Sequence, residues 1–591
     1  MHRNRTKGAT PGKTFLAVCA LLLCASVAFA GQHRMSKDLE AQTEKSGNVD
    51  VIVQFSQVPT AQHHQKVFDR GGTLKRDLGQ FKGAAYKVPA SALNDLANDP
   101  DVVYISPDRP LSGAAQSLPP VVNDYHYFTI NANNASSKGL TGAGIGVAII
   151  DSGIASLPDI TAKNIVYSQD FTGLGSTVDQ YGHGTHVTGI LAGNGSKSTG
   201  SNYAYKFVGI APGVNIISLR ALDGNGAGTD SDVIAAIQTA INLKSKYNIR
   251  VINLSLGRPV WESYKVDPLC QAVEQAWKAG IVVVVAAGNY GRDNNAGTNG
   301  YGTITAPGND PYVITVGAMN TLGNSNRTAH VIASYSSKGP TLFDGVLKPD
   351  LVAPGNLIVS LYSPSTTLNK EYPGFEVPQS LYVDGASGAP SATYYSLSGT
   401  SMATPMVSAT AALMLQQTPA LTPDQVKARL MFTAFKGLVR SSTATDLTTG
   451  QIFYDQADVF TVGAGYLDIQ CALQNTDLAP AAVGSALSPL AVRDSHGNIS
   501  LVINGSSMIG STSILWGSSY DMWGSSILWG SDWEQGESIL WGSTTPLTGS
   551  SILWGSSGAG DGTLWGTSET QVDGANALWG STTGGVINDL E

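Results

Sequence analysis

GIGVAIIDSG, residues Gly144 to Gly153, decides how this chain folds. The apolar, partly β-branched run carries no charge until Asp151, the pattern of a strand buried on both faces of a parallel sheet. Later runs repeat it: VGIAPGVNIISL, VINLSLG, GIVVVVAAGN and YVITVGA, with helical stretches such as DSDVIAAIQTAINLKSKY between them. That alternation predicts an α/β fold with a doubly wound parallel sheet. Sheets of this kind hold ligands at the carboxyl ends of their strands, so the acid ending the first run is expected in a site.

Two further motifs complete it. GHGTHVTG spans Gly182 to Gly189 and GTSMATP spans Gly399 to Pro405, so Asp151, His183 and Ser401 follow one another in the order Asp, His, Ser. A serine hydroxyl is a poor nucleophile at neutral pH until a base takes its proton, and an imidazole does so best when a carboxylate orients its other nitrogen. The stretch after GTS reads as a helix of small residues with one early proline, which sets Ser401 among backbone donors at a helix start. His183 and His186, three apart, also have the spacing of a metal pair. A metalloprotease would need a glutamate after the first histidine, and Gly184 stands there. His186 is expected to be a packed structural residue.

Three unrelated folds build such a relay, each with its own chain order, and this order, with these motifs, resembles the subtilisin-like serine proteases, or subtilases. The resemblance implies a serine endopeptidase acting through an acyl-enzyme and needing no cofactor. AAGN at Ala286 to Asn289 is similar to the family's oxyanion segment, making Asn289 a side-chain donor beside the Ser401 N–H. Removing one such donor costs about a hundred- to a thousandfold in turnover, a magnitude that comes from subtilisin itself. GNGAG and NLSLG resemble the two segments that hold a substrate backbone as an added strand, here Gly226, Ala227 and Gly228 on one side and Ser255, Leu256 and Gly257 on the other. Ser255 to Gly257, Ala286, Ala287 and Gly288, and the region near Thr305 would line the primary specificity pocket. No charge stands among them, which predicts broad specificity with uncharged, mainly apolar residues before the cut; Tyr290 agrees with this. KPDLVAPG and YSSKGP match the family as scaffold turns. Many subtilases hold structural calcium, but the segment after His183, AGNGSKSTGSNYAYKF, has two lysines and no acid, a poor cradle for a hard cation. Asp170, Asp223, Asp230 and Asp232 are open to another calcium site, to solvated loops or to a helix cap at Asp230.

The N-terminus reads as export machinery. Arg3, Arg5, Lys7 and Lys13 precede an apolar stretch from Thr14 to Ala30 that closes on Ala28, Phe29 and Ala30, the pattern of a secretory signal peptide over residues 1–30. Residues 31–114, with a core at 49–111, alternate strand and helix in VDVIVQF, QHHQKVFDR, GAAYKVP, ASALNDLAND and VVYISPD. This suggests a ferredoxin-like α+β sandwich. It resembles the inhibitory propeptide of subtilases, which by that resemblance assists folding and then blocks the cleft with its extended tail, SPDRPLSGAAQ. Self-cleavage is expected between about Leu111 and Leu118. His63 and His64 are read as a solvated helix face rather than a metal pair. The subtilisin-like catalytic domain follows over 115–475, with an insertion at Ser363 to Tyr395 that reads as a lid, a β-hairpin or a surface excursion.

The composition, 13% charged residues with a net charge of −9 and 67 glycines among 591 residues, fits a loop-rich exported protein and excludes a nucleic-acid binder. Cys270 and Cys471, the cysteines beyond the signal, are left as a disulfide or as free thiols. After a linker over 476–510, residues 511–591 repeat ILWG, and eight of the ten tryptophans lie there, so the repeat is a unit of its own. Its Gly- and Ser-rich, charge-sparse composition suits cell-surface or glycan contact, self-association or passive low complexity. The expected function is therefore a secreted, self-processing endopeptidase whose partners are polypeptide substrates and its own propeptide. The alternative is an adhesion or assembly protein in which the Trp-rich tail is the main function.

Overall fold

A computed structural model describes residues 34–113 except 44 and 45, residues 126–493 except 162, 447 and 448, and short strands beyond 493. The signal stretch and residues 114–118, where processing is expected, lie outside the described residues.

The N-terminal unit is a four-stranded antiparallel sheet in the order Thr73–Leu78, Gly83–Pro89, Asn48–Phe55, Val102–Pro107, with helices Ala61–Asp69 and Leu93–Ala97. The strand Thr73–Leu78 is not among the expected ones. TLKRDL lies at the sheet edge and buries only Leu78, so it carries no alternating apolar signal. His63 departs from expectation too: it is buried, and its Nδ1 accepts from the Thr60 N–H at 3.0 Å, closing the first turn of its helix. His64 Nδ1 bonds the Tyr86 hydroxyl at 2.7 Å.

The larger unit is an eight-stranded sheet. Its order is Val331–Ile332, Ile314–Asn320, Val282–Ala286, Ile249–Leu254, Gly146–Asp151, Asn215–Arg220, Ile165–Asp170, and Leu351–Pro354 also pairs with Ile314–Asn320. All pairings are parallel except that of Val331–Ile332. The helix Thr400–Gln417 is buried from Thr400 to Leu415. It is apolar or small on every side, which lets it pack against the central strands rather than cover them with one stripe.

The insertion is folded. It contributes helix Thr367–Glu371 and strands Glu376–Pro378 and Pro390–Leu397, the last pairing with Ile358–Leu361. The Thr367 and Leu368 N–H groups donate to the carbonyls of Gln180 and Tyr181, so the insertion abuts the loop before His183. Residues 478–490, expected to begin a linker, pack on the domain instead: Ala486 N–H donates to Asp424, and buried Ser488 bonds Asp350. A charge-poor stretch looks like a tether in sequence, but these groups add hydrogen bonds to two buried carboxylates, Asp424 and Asp350.

In the tail, Leu528–Trp529, Ser538–Trp541, Ser551–Trp554, Thr563–Trp565 and Ala577–Leu578 form a parallel sheet. Its register places Ile539 opposite Ile552 and Trp541 opposite Trp554. Residues 511–591 hold nine acidic and no basic side chains, so the net charge of −9 resides there. The first repeats, before Leu528, lie outside the described residues.

Candidate active site

Asp151 ends its strand at the carboxyl edge of the sheet and is buried. His183 opens the helix His183–Ala192, whose start crosses that edge. Contact requires Gly184: a Cβ there would collide with the Gly153 carbonyl and lie 3.2 Å from the Asp151 Cβ. The imidazole Nδ1–H donates to Asp151 Oδ1 at 2.8 Å, and the same oxygen accepts the Ser152 N–H at 2.8 Å. Burial alone would lower the His183 pKa, but the Asp151 charge and hydrogen bond outweigh it and hold it above the ordinary imidazole value. His183 Nε2 meets no hydrogen-bond partner among the described residues.

Ser401 is the second residue of its helix and buried. Its Oγ donates to the Ser255 carbonyl at 3.0 Å, while Ser255 Oγ donates to the Ser401 carbonyl at 2.9 Å. Pro405 explains the second bond. Lacking an N–H, it leaves the Ser401 carbonyl without its intrahelical donor, and Ser255 supplies one. Asn289 follows the strand Val282–Ala286, and its Oδ1 accepts from both the N–H and the hydroxyl of Thr400 at 3.0 Å, which turns Nδ2 the opposite way.

The strand Pro110–Gly113 lies between Ala227–Thr229 and Leu256–Gly257, antiparallel to both. Leu111 pairs with Gly228, Ser112 with Ala227 and Gly257, and Gly113 with Leu256; the Gly113 N–H also donates to the Gly226 carbonyl at 3.1 Å. Thus Gly226 to Gly228 and Leu256 to Gly257 flank one extended chain segment. A Cβ on Gly113 would lie 3.3 Å from His183 Nδ1, so that segment runs up to the imidazole. Ala286, Ala287 and Gly288 lead to Thr305: a Cβ on Gly257 or on Gly288 would come within 2.6 Å of its side chain, so the two glycines and Thr305 form one narrow wall. Tyr290 is 44% exposed and stands outside this wall.

His186 is buried and packed, its Nε2 within 3.1 Å of the Ile358 and Tyr395 carbonyls. Cys270 and Cys471 are free thiols. The proposed calcium ligands have other partners. Asp170 accepts from Thr172 and Gly175, Asp223 from Asn225 and Ala227, Asp230 pairs with Arg258 and Asp232 with Arg76. Asp159, which precedes His183 in the chain, accepts from Ser196 Oγ and the Lys197 N–H of the segment after His183, and from the Tyr394 hydroxyl. Donors surround these carboxylates, and among the described residues no three His, Cys, Asp or Glu side chains gather as a metal-binding group. Sequence reasoning missed Tyr181, whose ring lies 6.3 Å from that of His183, and also Ser152 and Asp179 behind Asp151. Nothing in their spacing marks them.

Residues 142–465 match a family model described as the subtilase family. Serine protease AprX of Bacillus subtilis is 39% identical over 297 residues, 49% of this chain and 60% of AprX. Subtilisin E of the same organism is 32% identical over 458 residues, 77% of this chain and 97% of subtilisin E. The crystal structure of fervidolysin from Fervidobacterium pennivorans, described as a keratinolytic enzyme related to subtilisin, has a TM-score of 0.54 at 22% identity, covering 77% of this chain and 64% of that one. This last likeness is one of fold.

Proposed function

This chain belongs to the subtilase family and is a serine endopeptidase; from that premise we propose that Ser401, His183 and Asp151 are its nucleophile, base and orienting acid. The Asp151–His183 pair at the carboxyl edge of the sheet, with His183 Nε2 left for another group, is the observation that carries this reading. Ser401 Oγ turns from the Ser255 carbonyl toward Nε2, gives up its proton and attacks the peptide carbonyl. The developing oxyanion takes hydrogen bonds from Asn289 Nδ2 and the Ser401 N–H. The imidazolium, balanced by Asp151, then protonates the departing amine, and water releases the acyl group by the reverse path.

The N-terminal α+β unit is, in this reading, the propeptide, and Pro110–Gly113 its inhibitory tail, bound by main-chain pairing as a substrate would be. The paired register ends with Gly113 opposite Leu256. One step along the enzyme's edge is Ser255, whose carbonyl holds the Ser401 hydroxyl, so the scissile bond follows Ala114. Ala114 before the cut is small and apolar. Leu111, three residues upstream and 4% exposed, implies a second apolar preference. Mass mapping of the purified wild type is expected to find a mature chain beginning at Ala115; a start elsewhere than within a residue of it would remove this assignment. Export follows from the N-terminal signal pattern, with the enzyme extracellular or held at the cell surface.

The in-register SILW strands favour a second reading for the tail, as a device for surface or glycan attachment. Because residues 478–490 belong to the packed domain, the informative truncation falls after Arg493 rather than Asn475. The truncated enzyme is expected to keep casein cleavage and lose binding to cells or polysaccharide. Unchanged binding would sink the attachment role.

A further inference from the structure

Behind Asp151 lies a second buried carboxylate that the proton relay described above does not use. Asp179 is 3% exposed, and each of its oxygens accepts two hydrogen bonds. Oδ1 accepts from the Ser152 hydroxyl at 2.9 Å and the Gly182 N–H at 2.7 Å; Oδ2 accepts from the Thr185 N–H at 2.8 Å and the Thr185 hydroxyl at 2.6 Å. Gly182 and Thr185 bracket His183, so three of these four donors belong to the cap and first turn of the helix that bears the imidazole. An anion there satisfies N–H groups that the helix cannot satisfy itself, and it is favoured by the helix dipole.

Ser152 joins the two carboxylates. Its N–H donates to Asp151 Oδ1 at 2.8 Å, and its hydroxyl accepts the Gly184 N–H at 2.9 Å. The single hydroxyl proton has two acceptors within reach, Asp179 Oδ1 at 2.9 Å and Asp151 Oδ1 at 3.3 Å. The shorter contact takes it, which leaves Asp151 Oδ1 to the Ser152 N–H and His183.

We propose that Asp179 is a positioning residue that, through the Ser152 hydroxyl, locks the Asp151 carboxylate to the first helical turn carrying His183. The closed circuit runs Asp151, Ser152, Asp179, Gly182 and Thr185, His183 and back to Asp151. It fixes the donor–acceptor line of the relay from the side of Asp151 that bears Ser152. Misplacing a reacting group by about an ångström costs roughly a hundredfold, so a lock of this kind acts on turnover rather than on substrate binding. The role rests on the assignment of Asp151 and His183 to the relay.

Electrostatics gives the lock a signature that a plain helix cap lacks. Burial, joined by the Asp151 charge, holds the Asp179 carboxyl above the ordinary carboxylate value, against the opposing pull of the Thr185 and Gly182 donors. Its negative charge adds to that of Asp151 in raising the His183 pKa. The other ionisable groups around it are Tyr181, whose ring neighbours His183, Lys370, which lines the same surface pocket, and Arg220. The Arg220 guanidinium is committed to the carbonyls of Ser176, Val178 and Leu222 and to the Gln180 side chain.

The test uses the full chain carrying Asp179→Asn, Ser152→Ala or Thr185→Val, with kcat counted per titrated active site on a peptide substrate across pH, beside a thermal melt. Asp179→Asn is expected to lower kcat between roughly tenfold and a hundredfold, with KM within about twofold, and to move the acid limb of the kcat/KM profile to lower pH. Ser152→Ala, which breaks the bridge but keeps both charges, should lower kcat without moving that limb. Thr185→Val, which removes one donor to Asp179 Oδ2 and keeps the Thr185 N–H on it, should lower kcat less than Ser152→Ala does and leave that limb in place. Wild-type turnover in either Asp179→Asn or Ser152→Ala overturns the proposal, whatever the melting temperature, and leaves the assignment of the relay untouched. Should Asp179→Asn fail to fold, the turnover of Ser152→Ala decides.

Discussion

Ser401→Ala is expected to accumulate as the uncut precursor, with peptide hydrolysis down about a millionfold in kcat, the scale known from subtilisin's own serine. The substitution removes one oxygen. Its structural cost is small, because that hydroxyl makes a single hydrogen bond, to the Ser255 carbonyl, and the reciprocal bond from Ser255 Oγ to the Ser401 carbonyl remains. The helix Thr400–Gln417 therefore keeps its start, and Asn289 keeps its anchor on Thr400. What is lost is the oxygen that, in the proposed mechanism, forms the acyl bond. A residual rate some thousandfold or more above water is expected from the oxyanion donors and strand binding alone. Two measurements check this: mass mapping of the purified variant beside wild type, and labelling of the mature wild type by a fluorophosphonate that the variant does not take up. Processing of the variant at Ala114 in the absence of active enzyme would show that another protease makes the cut.

Asp151→Asn is expected to lower kcat about ten-thousandfold with the fold intact. Asp151 Oδ1 accepts from both the Ser152 N–H and His183 Nδ1, so an amide at this position places its oxygen there and its NH2 toward the Oδ2 side, which has no hydrogen-bond partner. The imidazole thus retains its orientation and loses the charge that balances it when protonated. The pH profile reports that loss. His183 titrates above the ordinary imidazole value because the Asp151 charge overcomes burial, and it acts as a base only when neutral. In the wild type, kcat/KM rises with pH through that raised pKa and falls below it. Without the Asp151 charge burial prevails, the pKa drops, and the acid limb moves to lower pH while the plateau collapses. An acid limb at the wild-type position would mean that another group controls it.

The strands and the relay differ in how they are written in the chain. Gly146–Asp151 and Val282–Ala286 are legible because burial on both faces demands continuous apolar runs. Asp151, His183 and Asn289 are legible because each sits where such a run or its following helix meets the ligand edge. The strand Thr73–Leu78 is not, since an edge strand that buries one apolar side chain shows no alternation. Nor are the packing of Ser488 against Asp350 or the tie from Ser152 to Asp179, each a match between residues far apart in sequence.

By itself the sequence determined which chemical groups exist, their order and the α/β scaffold, because local periodicity and glycine placement are imposed by burial at every position. Only the tertiary structure decided that the Ser401 hydroxyl rests on Ser255, that Pro110–Gly113 fills the cleft beside His183, and that a second carboxylate stands behind the first. Those outcomes depend on hydrogen bonds between segments brought together by folding. Such pairing leaves no period in the chain, because each donor needs one acceptor at one distance rather than a repeated pattern.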